Sequence, residues 1–346
     1  MSDPQARRRF GEGREQVQQR PNPGRGLVTV LDLAAASHFR AMALLLICCA
    51  LFFLPGFFNV PPIDRDEALI AQTSRHMLET GDLLTIRNQN EIRSNSPVAI
   101  HWLQAATVEI VSRLGLPRAE VRIWIYRVPS LIAAVATVLL TYWAALAFVT
   151  RRAAVLAALM MCASMMLVIV AHVATPDAAL ALCAIAAMGA MARTYLPWQR
   201  GEDAQRPSWT LPAIFWTAIA AGLMLRGPLI LLFPLLTVVA LAAIDRAAGW
   251  LLRLRPVLGL VWTLALLSPW LGALVWRGDP LFEAGFGQDM LNFLTGMTDM
   301  RRGPPGVHFA LFWVLFWPGC VLAGLAAAAV WQARRPPAAP RLRGWC

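Results

Sequence analysis

The stretch VPSLIAAVATVLLTYWAALAFV, Val128 to Val149, carries no charged side chain over its whole length. A helix rises about 1.5 Å per residue and a bilayer core is roughly 30 Å thick, so such a run predicts a membrane-spanning helix. The sequence therefore predicts an all-α integral membrane protein of about eight transmembrane helices. The other seven apolar runs are Ala41–Phe58, Ala153–Val173, Ala178–Leu196, the short Leu211–Leu225, Pro228–Ile244, Val257–Trp276 and His308–Trp331.

The bulk composition agrees with a lipid environment. With 58% hydrophobic and 15% charged residues, the chain has more apolar surface than one soluble core of 346 residues can bury. The net charge is +11, but the basic residues lie between apolar runs and do not interleave with aromatic residues, which argues against a nucleic-acid partner. The six cysteines lie in apolar runs or at the last position without metal-type spacing, so no disulfide is predicted.

The arginines predict the orientation in the membrane, because short loops rich in basic residues stay in the cytoplasm. If the spans alternate from a cytoplasmic N-terminus, every Arg-rich connection lies in the cytoplasm, and so do both termini. It leaves the acidic residues Asp66, Glu67 and Asp177 on the extracytoplasmic side. The inside arginines are Arg151 and Arg152, Arg200 and Arg206, Arg246, Arg253 and Arg255, and those of the tail from Arg334 onward.

Three segments are predicted along the chain. Residues 1–37 are expected to be a disordered, Arg-rich cytoplasmic N-terminus, because they are too polar to bury themselves. Residues 38–334 form the transmembrane domain, and 335–346 a cytoplasmic tail. Within the domain, 59–127 form the first extracytoplasmic loop. Helical spacing of apolar residues up to Gly81, and again from Pro97, predicts two amphipathic surface helices there.

The stretch from Pro61 to Ala68, PPIDRDEA, has the densest charge of the outer side. One interpretation is that Asp66 and Glu67 are first-turn acids, which stabilise a helix N-terminus. The other is that a carboxylate held at the membrane surface by a rigid Pro-Pro lead-in serves as a general base. Neighbouring helical residues diverge by about 100°, so Asp66 and Glu67 are not expected to share one task.

Two further outer turns carry charge. Asp177, at the start of the fourth span, is either a helix cap or a functional carboxylate. Arg226, before Gly227-Pro228, is either a snorkelling side chain or a clamp for phosphate. Two carboxylates on one face can hold a divalent cation or divide the base and binding roles. No cofactor is otherwise predicted, and His76, His101 and His308 lack metal-site spacing.

In their order along the chain, these motifs resemble the GT-C class of membrane glycosyltransferases. The similarity is to the bacterial branch that groups protein mannosyltransferase-like enzymes with the lipid A aminoarabinose transferase, the family 39/83 type. Arg226 stands where that family usually has Lys. The matching stretches are Pro61–Ala68, Ser74–Asp82, Pro97–Gln104, Thr175–Ala178, Arg226–Pro228, Gly287–Met290 and Pro304–Gly306.

The resemblance implies direct, inverting transfer of a sugar from a polyprenyl-phosphate donor to a lipid A-like lipid, a glycan or a protein. It implies a multi-pass protein of the bacterial inner membrane with a periplasmic active face. Asp66 would deprotonate the acceptor, with Glu67 and Asp177 as further catalytic residues. Substrate-binding roles are implied for Arg65, Arg93, His101, Arg226, Gln288 and Asp289.

Two departures from the family pattern leave other hypotheses open. First, Ser94-Asn95-Ser96 stands where the family usually has basic residues before Pro97, and Arg93 is the substitute. Second, relatives continue through several more membrane spans. The second departure implies a truncated or frame-shifted product, so an inactive remnant is one alternative. A transporter or flippase is another, ranked lower because the charges lie at span ends and not at mid-membrane.

Overall fold

The computed structural model describes residues 30–83, 87–88, 91–92, 98–199, 201, 209–277 and 307–333. The predicted all-α fold is confirmed, with one antiparallel hairpin of two-residue strands in the first outer loop. Short 3₁₀ turns cover Ala119–Val121 and Gly249–Leu254. The elements are α1 (His38–Phe53), α2 (Arg65–Thr80), β1 (Arg87–Asn88), β2 (Glu91–Ile92), α3 (Ala99–Arg113), α4 (Ile123–Ala145), α5 (Arg151–Cys162), α6 (Met165–Ala171), α7 (Asp177–Gln199), α8 (Thr210–Arg226), α9 (Leu229–Asp245), α10 (Pro256–Arg277), α11 (Val307–Leu315) and α12 (Gly319–Ala333).

Within these described ranges, α4, α7 and α10 are long and apolar enough to cross a membrane. The α5–α6 pair is a fourth candidate if it is counted as one span. Helices α1, α8 and α9 are apolar but have 16, 17 and 17 residues, so each reaches only about 24–26 Å. The predicted apolar runs are thus largely helical, and the total of eight spans stays a prediction.

Two predicted spans are interrupted. The run Ala153–Val173 bends by 58° between α5 and α6, where Ser164 Oγ accepts a hydrogen bond from the Leu167 N–H at 3.4 Å and caps α6. The run His308–Trp331 is divided between α11 and α12, at Pro318, which has no N–H to donate to a helix. Both breaks correct the expectation of one continuous helix.

Residues 30–35 are helical, which differs from the disorder predicted up to residue 37. Leu31 and Ala34 are buried in the main core. Arg151 Nη1 donates to the carbonyls of Ala35 and Ala36, each at 3.0 Å. This stretch has apolar residues to bury and a long-range partner for its last carbonyls, so it is ordered despite its polar neighbours.

Helix α7 is the centre of the bundle and packs most extensively against α4 and α8. Small residues make this close approach feasible, as at many helix interfaces in membranes. A Cβ added at Gly189 would lie 2.6 Å from the Trp143 ring. The consecutive helices α8 and α9 also meet closely, since an added Cβ at Gly222 of α8 would lie 2.5 Å from the Ile230 side chain of α9. The buried core follows this α4–α7–α8 contact.

The two predicted helices of the first outer loop are present as α2 and α3. Helix α2 ends as expected at Gly81, whose φ of 70° is left-handed and whose N–H bonds to the Met77 carbonyl. The two helices pack on each other, and α3 packs on α4. Their buried faces include Ser74, Met77, His101 and Gln104. They close one end of the bundle, while their position along a membrane surface stays a prediction.

Candidate active site

Asp66 lies in the first turn of α2 and its side chain is exposed. The N-cap, Asp64, makes no side-chain capping bond. Within the described part of the chain, the Asp66 carboxylate has no hydrogen bond or ion pair. The lead-in of Pro61 and Pro62 restricts the backbone before the helix. A free carboxylate on a restrained helix start can accept a proton from a bound molecule.

Glu67, the next residue, faces the interior and is fully buried together with Arg127 of α4. Arg127 Nε donates to Glu67 Oε1 at 2.6 Å, and Nη2 donates to Oε2 at 3.2 Å. The same guanidinium donates to the carbonyls of Val60 at 2.7 Å and Pro61 at 3.0 Å. Arg127 thereby holds both the buried carboxylate and the backbone that leads into Asp66.

Two backbone N–H groups complete the coordination of Glu67. The Ile63 N–H donates to Oε2 at 3.0 Å, and the Ala174 N–H donates to Oε1 at 3.1 Å. Ala174 lies in the turn before α7, so one carboxylate joins the start of α2, the start of α4 and the turn that leads to Asp177. A buried pair of this kind tolerates its burial only when further hydrogen bonds satisfy both ions, as they do here.

A second buried network holds the other side of the same turn. Gln104 Nε2 donates to the Ala174 carbonyl at 3.1 Å. Ser74 Oγ lies 2.7 Å from Gln104 Oε1 and 2.8 Å from His101 Nδ1. The Gln104 amide oxygen and the Ile70 carbonyl, which lies 3.0 Å from Ser74 Oγ, can only accept. We assign the single Ser74 proton to the shorter contact, with Gln104, so the His101 Nδ1–H donates to Ser74. Helices α2 and α3 are thus fixed to Ala174 by side chains.

His101 is neutral in this setting. The imidazole is 1% exposed, and burial lowers its pKa to about 4, with the Ile70 carbonyl opposing that shift. Its Nε2 is buried and has no hydrogen-bond partner in the described structure. The substrate-binding role implied for His101 stays a prediction, and its contacts favour a role in positioning α2 against α3.

Asp177 and Arg226 form a second ion pair at this end of the bundle, with Arg226 Nη2 at 2.8 Å from Asp177 Oδ1. Their side chains are 37% and 42% exposed. Arg226 is the last residue of α8, and Gly227 follows with φ 66° and ψ −152°, a backbone conformation that favours glycine. Asp177, predicted as a catalytic residue, and Arg226, predicted to bind substrate, therefore meet each other, and both remain accessible.

The other predicted residues are placed as follows. Arg65 opens α2 beside Asp66 and is exposed. Arg93, Gln288 and Asp289 lie outside the described residues. Across the described ranges, no three His, Cys, Asp or Glu side chains are grouped so that they could hold a metal ion. The substrate-binding roles of Arg65, Arg93, Gln288 and Asp289 stay predictions.

Three residues of these buried networks, Arg127, Ser74 and Gln104, were not predicted from the sequence. A signal was available, since Arg127 is a charged residue at the edge of the apolar run that follows it, where charge is expensive unless paired. Ser74 and Gln104 carried no comparable signal. Their role depends on α2 and α3 packing face to face, which sequence spacing along either helix does not show.

Comparison with known proteins gives a family and a fold. The sequence model described as dolichyl-phosphate-mannose-protein mannosyltransferase matches residues 95–273, more than half of the 346 residues. The chain resembles the crystal structure of ArnT from Cupriavidus metallidurans bound to undecaprenyl phosphate, with a TM-score of 0.70 and 22% identity over 85% of this chain and 51% of that one. The apo structure of the same protein gives a TM-score of 0.66 and 20% identity over 80% and 48%.

The likeness to the solved structures is one of fold. The chain spans about half the length of the solved structures it matches. No curated protein matches the sequence. The shared fold is that of a multi-pass membrane protein, in agreement with the apolar helices of this chain.

Proposed function

Because the chain belongs to the dolichyl-phosphate-mannose-protein mannosyltransferase family, we propose that it transfers a sugar from a polyprenyl-phosphate donor to a lipid A-like lipid, a glycan or a protein. The solved relative of similar fold is bound to undecaprenyl phosphate, which supports this class of donor. Transfer takes place on the extracytoplasmic face of the bacterial inner membrane. The arginine distribution, which keeps the acidic residues outside, supports that orientation.

The observation that carries the proposal is the exposed Asp66 carboxylate, next to a fully buried Glu67 that fixes its helix. Asp66 accepts the proton of the acceptor hydroxyl as the acceptor oxygen attacks the anomeric carbon. The bond from that carbon to the donor phosphate breaks, and its electron pair leaves with the polyprenyl phosphate. A single displacement of this kind inverts the anomeric configuration.

Charge grows on the phosphate as it leaves, and a positioned cation stabilises it. Arg226 suits this task because its guanidinium has five N–H donors and spends Nη2 on Asp177. Asp177 orients that guanidinium and is close enough to the same surface to bind the acceptor. Arg65 lies beside Asp66 and is exposed, so it is a second candidate for a phosphate contact.

Glu67 and His101 act through other residues in this proposal. The Glu67 oxygens are occupied by Arg127 and two N–H groups, which favours positioning over proton transfer. His101 holds α2 to α3 through Ser74. Arg93, Gln288 and Asp289 keep the substrate-binding roles implied by the resemblance.

The test is a transfer assay in membranes that contain the chain and a polyprenyl-phosphate-linked sugar. Asp66→Asn keeps the shape of the side chain and removes the base, so transfer falls by about 10²–10⁴-fold. Asp64→Asn is the matched control, because Asp64 is exposed two residues away and caps nothing with its side chain. Equal transfer by Asp66→Asn and the unaltered chain would exclude Asp66 as the base.

A second measurement separates the transport alternative. Proteoliposomes with the chain are loaded with the lipid-linked sugar, and counterflow is followed together with transfer. Transfer without counterflow agrees with the proposal. Counterflow without any transferred sugar would instead favour a transporter or flippase.

A further inference from the structure

Arg193 is a charged residue near the end of α7 that is opposite to Asp177. Sixteen residues separate the two, which is roughly 24 Å along a helix axis. Around Arg193 the helix is apolar, with Ala190, Met191 and Tyr195 buried. This end of the bundle also carries the arginines predicted to face the cytoplasm. A cation at this depth needs a partner or access to a polar ligand.

The guanidinium of Arg193 is held but is not neutralised by its protein contacts. Its Nη2 donates to the Trp143 carbonyl at 2.6 Å, and its Cζ lies 4.5 Å from the centroid of the Trp143 ring. Its Nε is buried without a hydrogen-bond partner in the described structure. Asp245, an acid at the same end, accepts a hydrogen bond from the Tyr195 hydroxyl at 2.5 Å. The Arg193 guanidinium therefore has N–H donors that no described residue accepts.

A cavity of about 330 Å³ adjoins this guanidinium, between the last turns of α4 and α7 and the first turn of α8. Its described lining has Arg193 as the one charged side chain and no acidic side chain, and its polar lining includes Thr210. The remaining walls are apolar, among them Trp143, Leu196, Leu211 and Ile214. Such a site combines one forked cation with apolar walls and suits an anion that carries a hydrocarbon part.

The surroundings decide between a lipid and a free anion. A second, apolar groove of about 440 Å³ follows α4, α7 and α9 and shares Leu196 with the cavity. Its walls include Ala144, Met188 and Leu241, and it can take up a hydrocarbon chain. Nearby, the Arg255 guanidinium lies over the Trp209 ring at 3.5 Å. Aromatic and arginine side chains of this kind mark the headgroup level of a membrane, where anionic lipids attract basic residues.

From these contacts we infer that the Arg193 cavity binds the phosphate of an anionic phospholipid in the leaflet opposite to Asp66. Arg193 donates to the phosphate oxygens, Trp143 holds the guanidinium in place, and an acyl chain follows the apolar groove. The site is separate from Asp66, Asp177 and Arg226, and its occupancy does not depend on sugar transfer.

The test is lipid binding to the purified full chain in detergent, measured by native mass spectrometry with added phosphatidylglycerol. Arg193→Gln removes the charge and weakens binding of the tightest lipid by about tenfold or more. Arg152→Gln is the matched control: Arg152 is at the same end of the bundle, but its pair with Asp32 is exposed. Its lipid affinity changes by less than about twofold. Equal affinity of Arg193→Gln and the unaltered chain would overturn the inference.

A second variant covers the case in which Arg193→Gln does not fold. Ile214→Trp fills the cavity and leaves Arg193 in place, so it also weakens phosphatidylglycerol binding, and unchanged binding by a folded Ile214→Trp would contradict the site.

Competition experiments identify the class of ligand that the cavity binds. Inorganic phosphate that displaced the lipid at equal concentration would assign the cavity to a free anion, and equal affinity for phosphatidylcholine would remove the preference for anionic lipids. Neither the binding nor the competition measurement depends on sugar transfer. The lipid site is therefore tested independently of the proposed catalytic role of Asp66.

Discussion

Two carboxylate–arginine pairs lie at the same end of the bundle and differ in what surrounds them. Glu67 and Arg127 are 2.6 Å apart and fully buried, and further bonds to backbone groups satisfy both ions. Asp177 and Arg226 are 2.8 Å apart, and more than a third of each side chain is exposed. The first pair joins three parts of the backbone, and the second joins two helix ends at a surface. Similar chemistry thus fixes the backbone in one place and leaves both side chains accessible in the other, where we propose that substrate binds.

Glu67→Gln is the variant with the largest expected effect on stability. The amide leaves the buried Arg127 guanidinium without its counter-charge, so the free energy of unfolding falls by about 3–5 kcal/mol. Thermal unfolding in detergent micelles, followed by circular dichroism, measures the loss. Glu109→Gln is the control, because its pair with Arg113 is exposed and contributes less than about 1 kcal/mol. Equal losses for the two variants would show that burial of the first pair is unimportant.

The His101 network predicts a pH dependence of stability. His101 has a pKa of about 4 in the folded chain against 6.5 for an ordinary histidine, so the unfolded chain binds the proton more readily. Stability is complete above pH 6.5 and falls as the pH is lowered toward 4, by roughly 3 kcal/mol at pH 4. Unfolding is measured at several pH values for the unaltered chain and for His101→Gln, which cannot titrate. Parallel profiles for the two proteins would refute the prediction.

The exposed pair has the smallest expected effect on stability and a separate effect on transfer. Arg226→Gln and Asp177→Asn each change the free energy of unfolding by less than about 1 kcal/mol, because water solvates both partners. Arg226→Gln lowers sugar transfer by about tenfold or more, since a charge-assisted contact to the leaving phosphate is lost. Arg113→Gln, on the exposed pair of α3, leaves transfer unchanged. A large stability loss with normal transfer in Arg226→Gln would reverse the roles assigned to the two pairs.

The sequence was most informative where a pattern is local. The apolar run Val128–Val149 predicted most of α4, and Gly81 marked the end of α2. It was less informative about breaks, because a capping Ser164 or a Pro318 within an apolar run does not by itself show whether the helix continues. Nor did the hydropathy pattern show that residues 30–35 are helical, since their order depends on Arg151, more than a hundred residues away.

The same contrast between local patterns and long-range contacts applies to the candidate site. Asp66, Asp177 and Arg226 were predicted from their positions in outer segments next to apolar spans and from the resemblance to a known family. Asp66 and Glu67 were not expected to share one task, but only the structure shows that Asp66 is exposed and Glu67 is buried. Whether a carboxylate faces a ligand or an arginine sixty residues away is decided by how α2, α4 and α7 pack together.

The sequence by itself determined the membrane class and most of the helical stretches, and it predicts the orientation of the acidic and basic segments, because hydropathy and charge act through each segment alone. The tertiary structure decided which charges meet. It placed both backbone groups of Ala174 between Glu67 and Gln104, and it left Arg193 beside an apolar cavity. These contacts join residues far apart in the chain, and their free energy depends on burial and on the direction of each side chain, which arise only when the helices pack.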